Sequence, residues 1–235
     1  RQSLYFKQIF KVLELMGYAW AKNCFHLAYE IVNLPGNVTI ASREGTVILL
    51  EDLIKEAERR AFEIVRAKNP GLAKKEKDDV AHAVAIGAIK YSLLSRDNTK
   101  VITFNWESAL DVNGQAAPYI LYAGVRANSI LKKAAYNVPN LVNIQDKLAQ
   151  QEIQLVEYIS RFPQEVQRAA KDMKPLIITN FAFELARAFN DFYATCPVLT
   201  EEEPTRNFRL GLVMAARQTI INSLKLLGIT LPDVM

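Results

Sequence analysis

The sequence predicts a mainly α protein in which a short mixed α/β stretch precedes an all-helical one, and three observations carry that expectation. Apolar residues recur at spacings of three and four through nearly every long segment, the period of a helix with one buried face. Short β-branched runs bounded by turn residues occur only in the first 104 residues or so. Beyond Pro118 no strand signal of any length remains. With 235 residues, 50% of them hydrophobic and 23% charged, the chain can bury a sizeable core.

Phe6, Ile9, Phe10, Leu13 and Met16 form the stripe of a first helix, and Gly17 stands where a C-terminal cap is expected. The runs "PGNVTI" and "GTVILL" read as short strands on either side of a polar turn, Ala41 to Gly45. Glu51 and Asp52 then suit the first turn of a helix reaching about Lys68, where acidic side chains complement the dipole. "NPG" at 69–71 stops that helix. After Asp78 and Asp79, "VAHAVAIGAIKYSLLS" reads as a helix whose Ala81, Ala85 and Ala88 allow close packing. A strand "KVITF" and a loop "DVNGQAAP" follow. The remaining segments, 118–135, 144–161, 163–173, 175–195 and 204–227, all read as helices, the last ended by Gly228 and Pro232. A boundary near Ala116 divides the chain into two domains, 1–115 and 116–235.

Several function classes are excluded. Charged residues break every apolar run before it could span a bilayer, so a soluble protein is expected. Lys and Arg total 29 against 25 Asp and Glu, a net +4 that permits a polyanionic partner without requiring one. The two cysteines, Cys24 and Cys196, are far apart and read as buried thiols, not as a disulfide or metal site. His26 and His82 have no carboxylate or cysteine cluster at ligand spacing, so no metal site is expected. Phosphate-cradling and nucleophile-elbow glycine motifs are absent. His26, among apolar neighbours, reads as a satisfied core histidine. Arg1 opens directly on helical periodicity, which suggests the tail of a longer protein.

Two stretches can carry chemistry. In the turn at 39–45, Arg43 offers a planar permanent cation suited to phosphate oxygens, Ser42 a hydroxyl, and Gly45 conformational freedom; a plain surface connection explains the same residues. In "APYILYAGVRANSILKK", Tyr119, Tyr122 and Arg126 fall three and four residues apart on one helical stripe, a combination that stacks on unpaired bases and holds phosphates. Half-buried packing tyrosines are the alternative. In "FELARAFNDFYATCPVL", Leu185, Phe189 and Phe192 form a core stripe, which accounts less well for Tyr193 beside it.

Taken in order, these blocks resemble the C-terminal half of arginyl-tRNA synthetase, a class I aminoacyl-tRNA synthetase. "LYFKQIFKVLELMGYAWAK" is similar to the helix after the catalytic nucleotide-binding core. "VTIASREGTVILLEDLI" is similar to the signature loop K-M-S-K-S, in this family often K-M-S-T-R-x-G, and the helix after it. "VAIGAIKYSLLSRDNTKVITFNWESALDVNGQAAPYILYAGVRANSIL" resembles the helical linker and the entry to a DALR-type anticodon-binding domain, whose closing helix "NFRLGLVMAARQTIINSLKLLGITLPDVM" resembles. Two departures stand out. Thr39, Ile40, Ala41 and Ser42 occupy the positions of the motif's lysine, methionine, serine and second lysine, and only Arg43 keeps a cation. Exchanging lysine for threonine removes a charge-assisted contact of roughly 1.5–3 kcal/mol. Gly124 replaces the histidine of the family's Y-A-H-x-R pattern.

The resemblance implies a C-terminal remnant of a class I α/β nucleotide-binding catalytic domain followed by an all-α anticodon-binding helical bundle. It implies an arginine-tRNA ligase of protein biosynthesis, monomeric and cytoplasmic, with ATP (as its Mg²⁺ complex), L-arginine and tRNA(Arg) as substrates and partners. Ser42 and Arg43 would act on the ATP phosphates, with Thr39 and Ala41 completing the loop that binds them. Tyr119, Tyr122, Arg126, Tyr193 and Met235 would contact the anticodon loop. This segment alone is expected to bind RNA weakly and to catalyse nothing, because it lacks the H-I-G-H half of the active site. A non-catalytic synthetase-like module that binds RNA or protein is the alternative, and a purely structural helical scaffold a third.

Overall fold

The computed structural model describes residues 2–34, 38–39, 49–135 and 147–235. Helix α1 spans Ser3–Leu15, and Gly17 ends it in the left-handed region at φ +87, where glycine carries no steric penalty. A 3₁₀ turn, Ala19–Asn23, leads into an extended segment. Strand β1 (Val32–Leu34) lies between β2 (Val38–Thr39), antiparallel to it, and β3 (Ile102–Thr103), parallel to it. Of the two expected strands around the polar turn, the first is β2; the stretch 40–48, with Ala41, Ser42, Arg43 and most of "GTVILL", lies outside the described residues. β1 was not expected, because "VNL" is too short to show a period.

Helices α2 (Leu50–Lys68) and α3 (Lys74–Leu94) pack along each other through Ala57, Ala61 and Val65 against Val80, Ala81, Val84, Ala85 and Ala88, all buried. Alanine-rich faces let the two backbones approach closely. α3 starts earlier than Asp78 and Asp79 suggest, because the Glu76 carboxylate reaches back to accept the Ala73 amide at 3.0 Å. After β3, the short α4 (Trp106–Ala109) is fixed by the Asn105 side chain, which accepts the Ser108 amide at 2.9 Å. Trp106 meets Phe104 edge-on at 4.9 Å and receives the Arg60 guanidinium at 5.0 Å, joining the sheet to α2.

The bundle comprises α5 (Ala117–Ala134), α6 (Gln150–Asp172), α7 (Leu176–Thr195) and α8 (Thr205–Leu226). Its centre is Ile120, Leu121, Leu155, Leu185, Phe189, Phe192, Val213, Ile220 and Leu224, each fully buried and each contributing roughly 1.5–3 kcal/mol by leaving water. Leu185, Phe189 and Phe192 thus form the core stripe their spacing predicts. The same buried cluster continues into α2 and α3, so helical pair and bundle share one core. α6 corrects an expectation: it is one helix, not two broken at Pro163. Pro163 sits on the exposed face, where the carbonyl deprived of its donor can turn to water. His26 is a second correction, half-buried and stacked on Phe6 at 4.3 Å outside the main core. Cys196 is buried, Cys24 only partly, and both are free.

The chain end is strapped across α3 and α5. Gly228, at φ +66, reverses the backbone after α8, and Lys90 Nζ donates to its carbonyl. Ile229 is buried against Gly87. Leu231 lies over Gly124, where a Cβ would stand 2.7 Å from Leu231 Cδ1. The missing histidine ring at 124 therefore gives its space to the terminal strap. Asn128 Nδ2 donates to the Asp233 carbonyl at 3.0 Å, which fixes the approach of Val234 and Met235.

Asp97 ties the turn before β3 to the start of α7, accepting the Thr99 hydroxyl at 2.7 Å and Lys174 Nζ at 2.9 Å. The Thr99 and Lys174 donors hold its carboxyl well below the usual carboxylate range. A depressed folded-state pKa gives stability that is complete above the unfolded value near 4 and is lost as pH falls toward the folded one. Asp97→Asn should therefore flatten the acid limb of a stability-against-pH curve below about pH 4. An acid limb identical to that of the parent chain would show the contact to be inert.

Candidate functional site

One cavity of about 630 Å³ collects residues from five parts of the chain. α5 contributes Tyr119, Tyr122 and Arg126, the C-terminal end of α7 contributes Asn190, Asp191 and Ala194, and the strap contributes Met235. α2 contributes Ile64, Val65, Lys68 and Asn69, and the loop before α5 adds Val112 and Asn113. That loop is shaped by Asp111, whose carboxylate accepts the Asn113 amide at 2.8 Å and sits where any Cβ on Gly114 would strike it at 2.5 Å. Pro118 starts α5 with its ring in the first turn, where no amide donor is needed.

At the rim, the Arg126 guanidinium lies 4.7 Å from the Tyr122 ring centre and 4.9 Å from that of Tyr193. Its Nη1 donates to Asn190 Oδ1 at 2.6 Å. A planar cation held by two rings and an amide has little freedom left, and each cation–π contact adds roughly 0.5–2 kcal/mol. Tyr122 and Tyr193 keep 45% and 43% exposure, so both phenols remain partly open to solvent while packed against Arg126. Tyr119 is half-buried, its ring 5.3 Å from Phe183. It serves packing and cavity wall at once.

The five residues Tyr119, Tyr122, Arg126, Tyr193 and Met235 are thus brought to one place, four in the cavity lining and Tyr193 through Arg126. Of the loop group, Thr39 ends β2, while Ala41, Ser42 and Arg43 lie outside the described residues. Asn190, Asp191, Lys68, Asn69 and Asn113 also line the cavity, and none of them is among the residues that the sequence singles out. Asn190 alone left a trace, three residues before Tyr193 and so on its side of the helix. The site offers aromatic planes, amides that both donate and accept, and two cations: a surface for flat heteroaromatic rings with anionic linkages. Among the described residues no group of three or more His, Cys, Asp or Glu could hold a metal, and no helix is long and apolar enough to cross a membrane.

Comparison with known proteins places the chain. The family described as "DALR anticodon binding domain" matches residues 120–235, and "tRNA synthetases class I (R), catalytic domain" matches residues 1–106. The fold is therefore that of a class I aminoacyl-tRNA synthetase catalytic remnant with an appended anticodon-binding bundle. The chain is 38% identical over 235 residues to an arginine–tRNA ligase of Clostridioides difficile, covering 100% of this chain and 41% of that protein. It is 42% identical over 233 residues to one of Thermococcus sibiricus, covering 95% of this chain and 36% of that protein. The solved arginyl-tRNA synthetase of Thermus thermophilus superposes with a TM-score of 0.87 at 34% identity, over 97% of this chain and 38% of that one. The chain belongs to the arginyl-tRNA synthetase family, and it spans about two fifths of the length of the curated relatives it matches.

Proposed function

We propose that the chain is the part of an arginine-tRNA ligase that supplies the signature loop, in residues 1–115, and the anticodon-binding bundle, in residues 116–235. The observation that carries this is the convergence of Tyr122, Arg126 and Tyr193 in one cluster at a cavity also lined by Tyr119 and Met235. Anticodon bases splayed from the loop of tRNA(Arg) stack on those rings, because an unpaired base is read by its face and its edges. In the full-length cytoplasmic, monomeric enzyme the arginine carboxylate attacks the α-phosphate of ATP, pyrophosphate leaves, and the arginyl group passes to the terminal adenosine of the tRNA. Arg43 would hold the ATP phosphates and Ser42 donate to them, with Thr39 and Ala41 in the loop; with no lysine at 39, Arg43 carries the loop's cationic share of that work. The apolar residues exposed on α1 and at its C-cap, Leu4, Tyr5, Val12, Leu15 and Met16, form the surface that a remaining catalytic layer would cover.

The test is a titration of the chain with the anticodon stem–loop of tRNA(Arg) and with the same stem carrying another anticodon. Tighter binding of the first is the expected result; equal affinity for both would overturn anticodon recognition. The departures at Thr39 and Ala41 favour one other reading, a non-catalytic RNA-binding module. Arginine-dependent pyrophosphate exchange by the full-length protein decides between ligase and module.

A further inference from the structure

The geometry points to Lys68, at the C-terminal end of α2, as a phosphate contact for the RNA strand whose base enters the cavity, so that the RNA grip extends beyond the bundle onto the helix that follows the signature loop. The inference rests on the anticodon-loop reading above and adds to it a residue and an element outside the 120–235 segment that matches the anticodon-binding family.

Three observations carry it. First, a cavity that accepts a splayed base must also accommodate the phosphates on either side of that base, and protein contacts to phosphate generally outnumber those to base edges. Second, the cavity's charged side chains are Arg126, Asp191 and Lys68, and they are not equivalent. Arg126 is committed to the Tyr122 and Tyr193 rings and to Asn190. Asp191 repels phosphate. Lys68 is exposed and makes no hydrogen bond or ion pair among the described residues, whereas its neighbour Arg66 is paired with Glu63 at 2.5 Å. It is the cation in the lining with all three donors unused. Third, its position is built: the Asn69 amide closes α2 on the Val65 carbonyl at 2.8 Å, and Ala61 and Val65 are buried against α3, so Lys68 extends from a rigid helix end. Asn69 lies beside it in the lining. A long flexible ammonium stem on a rigid base suits a phosphate, which asks for charge within reach more than for a fixed angle.

A phosphate contact has a signature distinct from a base contact. Removing it weakens all loops alike, and it lowers the dependence of log K on log salt by about 0.7 for a single-stranded site. Lys68→Met, Lys68→Arg and Tyr122→Ala in the 235-residue chain would be titrated with matched and mismatched anticodon stem–loops across a salt series. Lys68→Met should bind both loops roughly three- to tenfold more weakly with the shallower slope, and Lys68→Arg should retain the parent's affinity and slope. Tyr122→Ala should lose affinity with the slope unchanged. If Tyr122→Ala weakens binding while Lys68→Met matches the parent in affinity and slope, the assignment of Lys68 is overturned and the cavity reading stands. If Lys68→Met weakens only the matched loop, Lys68 touches a base and the phosphate assignment falls. If Tyr122→Ala binds as the parent does, the cavity reading fails and takes this inference with it.

Discussion

Arg126→Lys is expected to weaken binding of the tRNA(Arg) anticodon stem–loop by roughly 10- to 100-fold, nearly as far as Arg126→Ala. Lysine keeps the charge and loses the plane. In the folded chain the guanidinium spans the Tyr122 and Tyr193 rings at 4.7 and 4.9 Å and donates to Asn190 at 2.6 Å, so it orients both phenols as well as carrying charge. An ammonium offers no plane to pack on, and the two rings beside it become freer to rotate. Two cation–π contacts at roughly 0.5–2 kcal/mol each are removed or weakened, and base stacking worth roughly 1–3 kcal/mol per base must then order the rings it uses. Fluorescence anisotropy of a labelled stem–loop at fixed salt measures the loss, and thermal unfolding establishes that the bundle is intact. Parent affinity in Arg126→Lys beside a large loss in Arg126→Ala would show that the residue acts as a point charge, and the stacked arrangement would have no role in binding.

The residues around Arg126 show what the sequence makes legible. Tyr119, Tyr122 and Arg126 share one helix, and a period of 3.6 puts them on one side before any fold is known. Tyr193 and Met235 reach them only because α5, α7 and the terminal strap pack together, and that convergence was carried by resemblance, not by spacing. Asn190 is 64 positions from Arg126 and bonds to it directly, a relation with no local signature. Lys68 was hidden differently, since "AKNPG" reads completely as a helix stop and leaves no sign that the stop faces a cavity. Gly124 is legible as a departure from the family pattern, while its reason, the seat of Leu231, lies in a tail more than a hundred residues on. The helices themselves were well read because their buried faces are long and regular. Pro163 misled because the rule that proline breaks helices is weak on a solvated face, where water replaces the lost donor.

Arg209→Met is expected to be the most damaging single change to stability, at about 3–5 kcal/mol. Glu152 is 1% exposed, and its carboxylate is held by Arg209 Nε at 2.7 Å and by the Ala149 amide at 2.6 Å. Arg209 also donates to the Pro197 carbonyl at 2.7 Å and lies 3.3 Å from Glu201. One guanidinium thus joins the start of α6, the loop after α7 and the first turns of α8. Methionine fills much of the volume but leaves a carboxylate buried with a single backbone donor, and an uncompensated buried charge costs far more than the pair contributes. At roughly 2–4 °C per kcal/mol for a chain of this size, the melting temperature should fall by about 6–20 °C. Glu152→Gln should cost much less, because its amide oxygen still accepts from Ala149 and Arg209 keeps Glu201 and Pro197. Adding Glu152→Gln to Arg209→Met should therefore recover part of the loss, a coupling read from the double-mutant cycle by urea unfolding. If Arg209→Met melts no lower than Glu152→Gln, the buried charge is not what the network neutralises. If the cycle shows the coupling, the loop that continues from Asn190 and Tyr193 through Pro197 is anchored by it, and RNA affinity should drop together with stability in Arg209→Met.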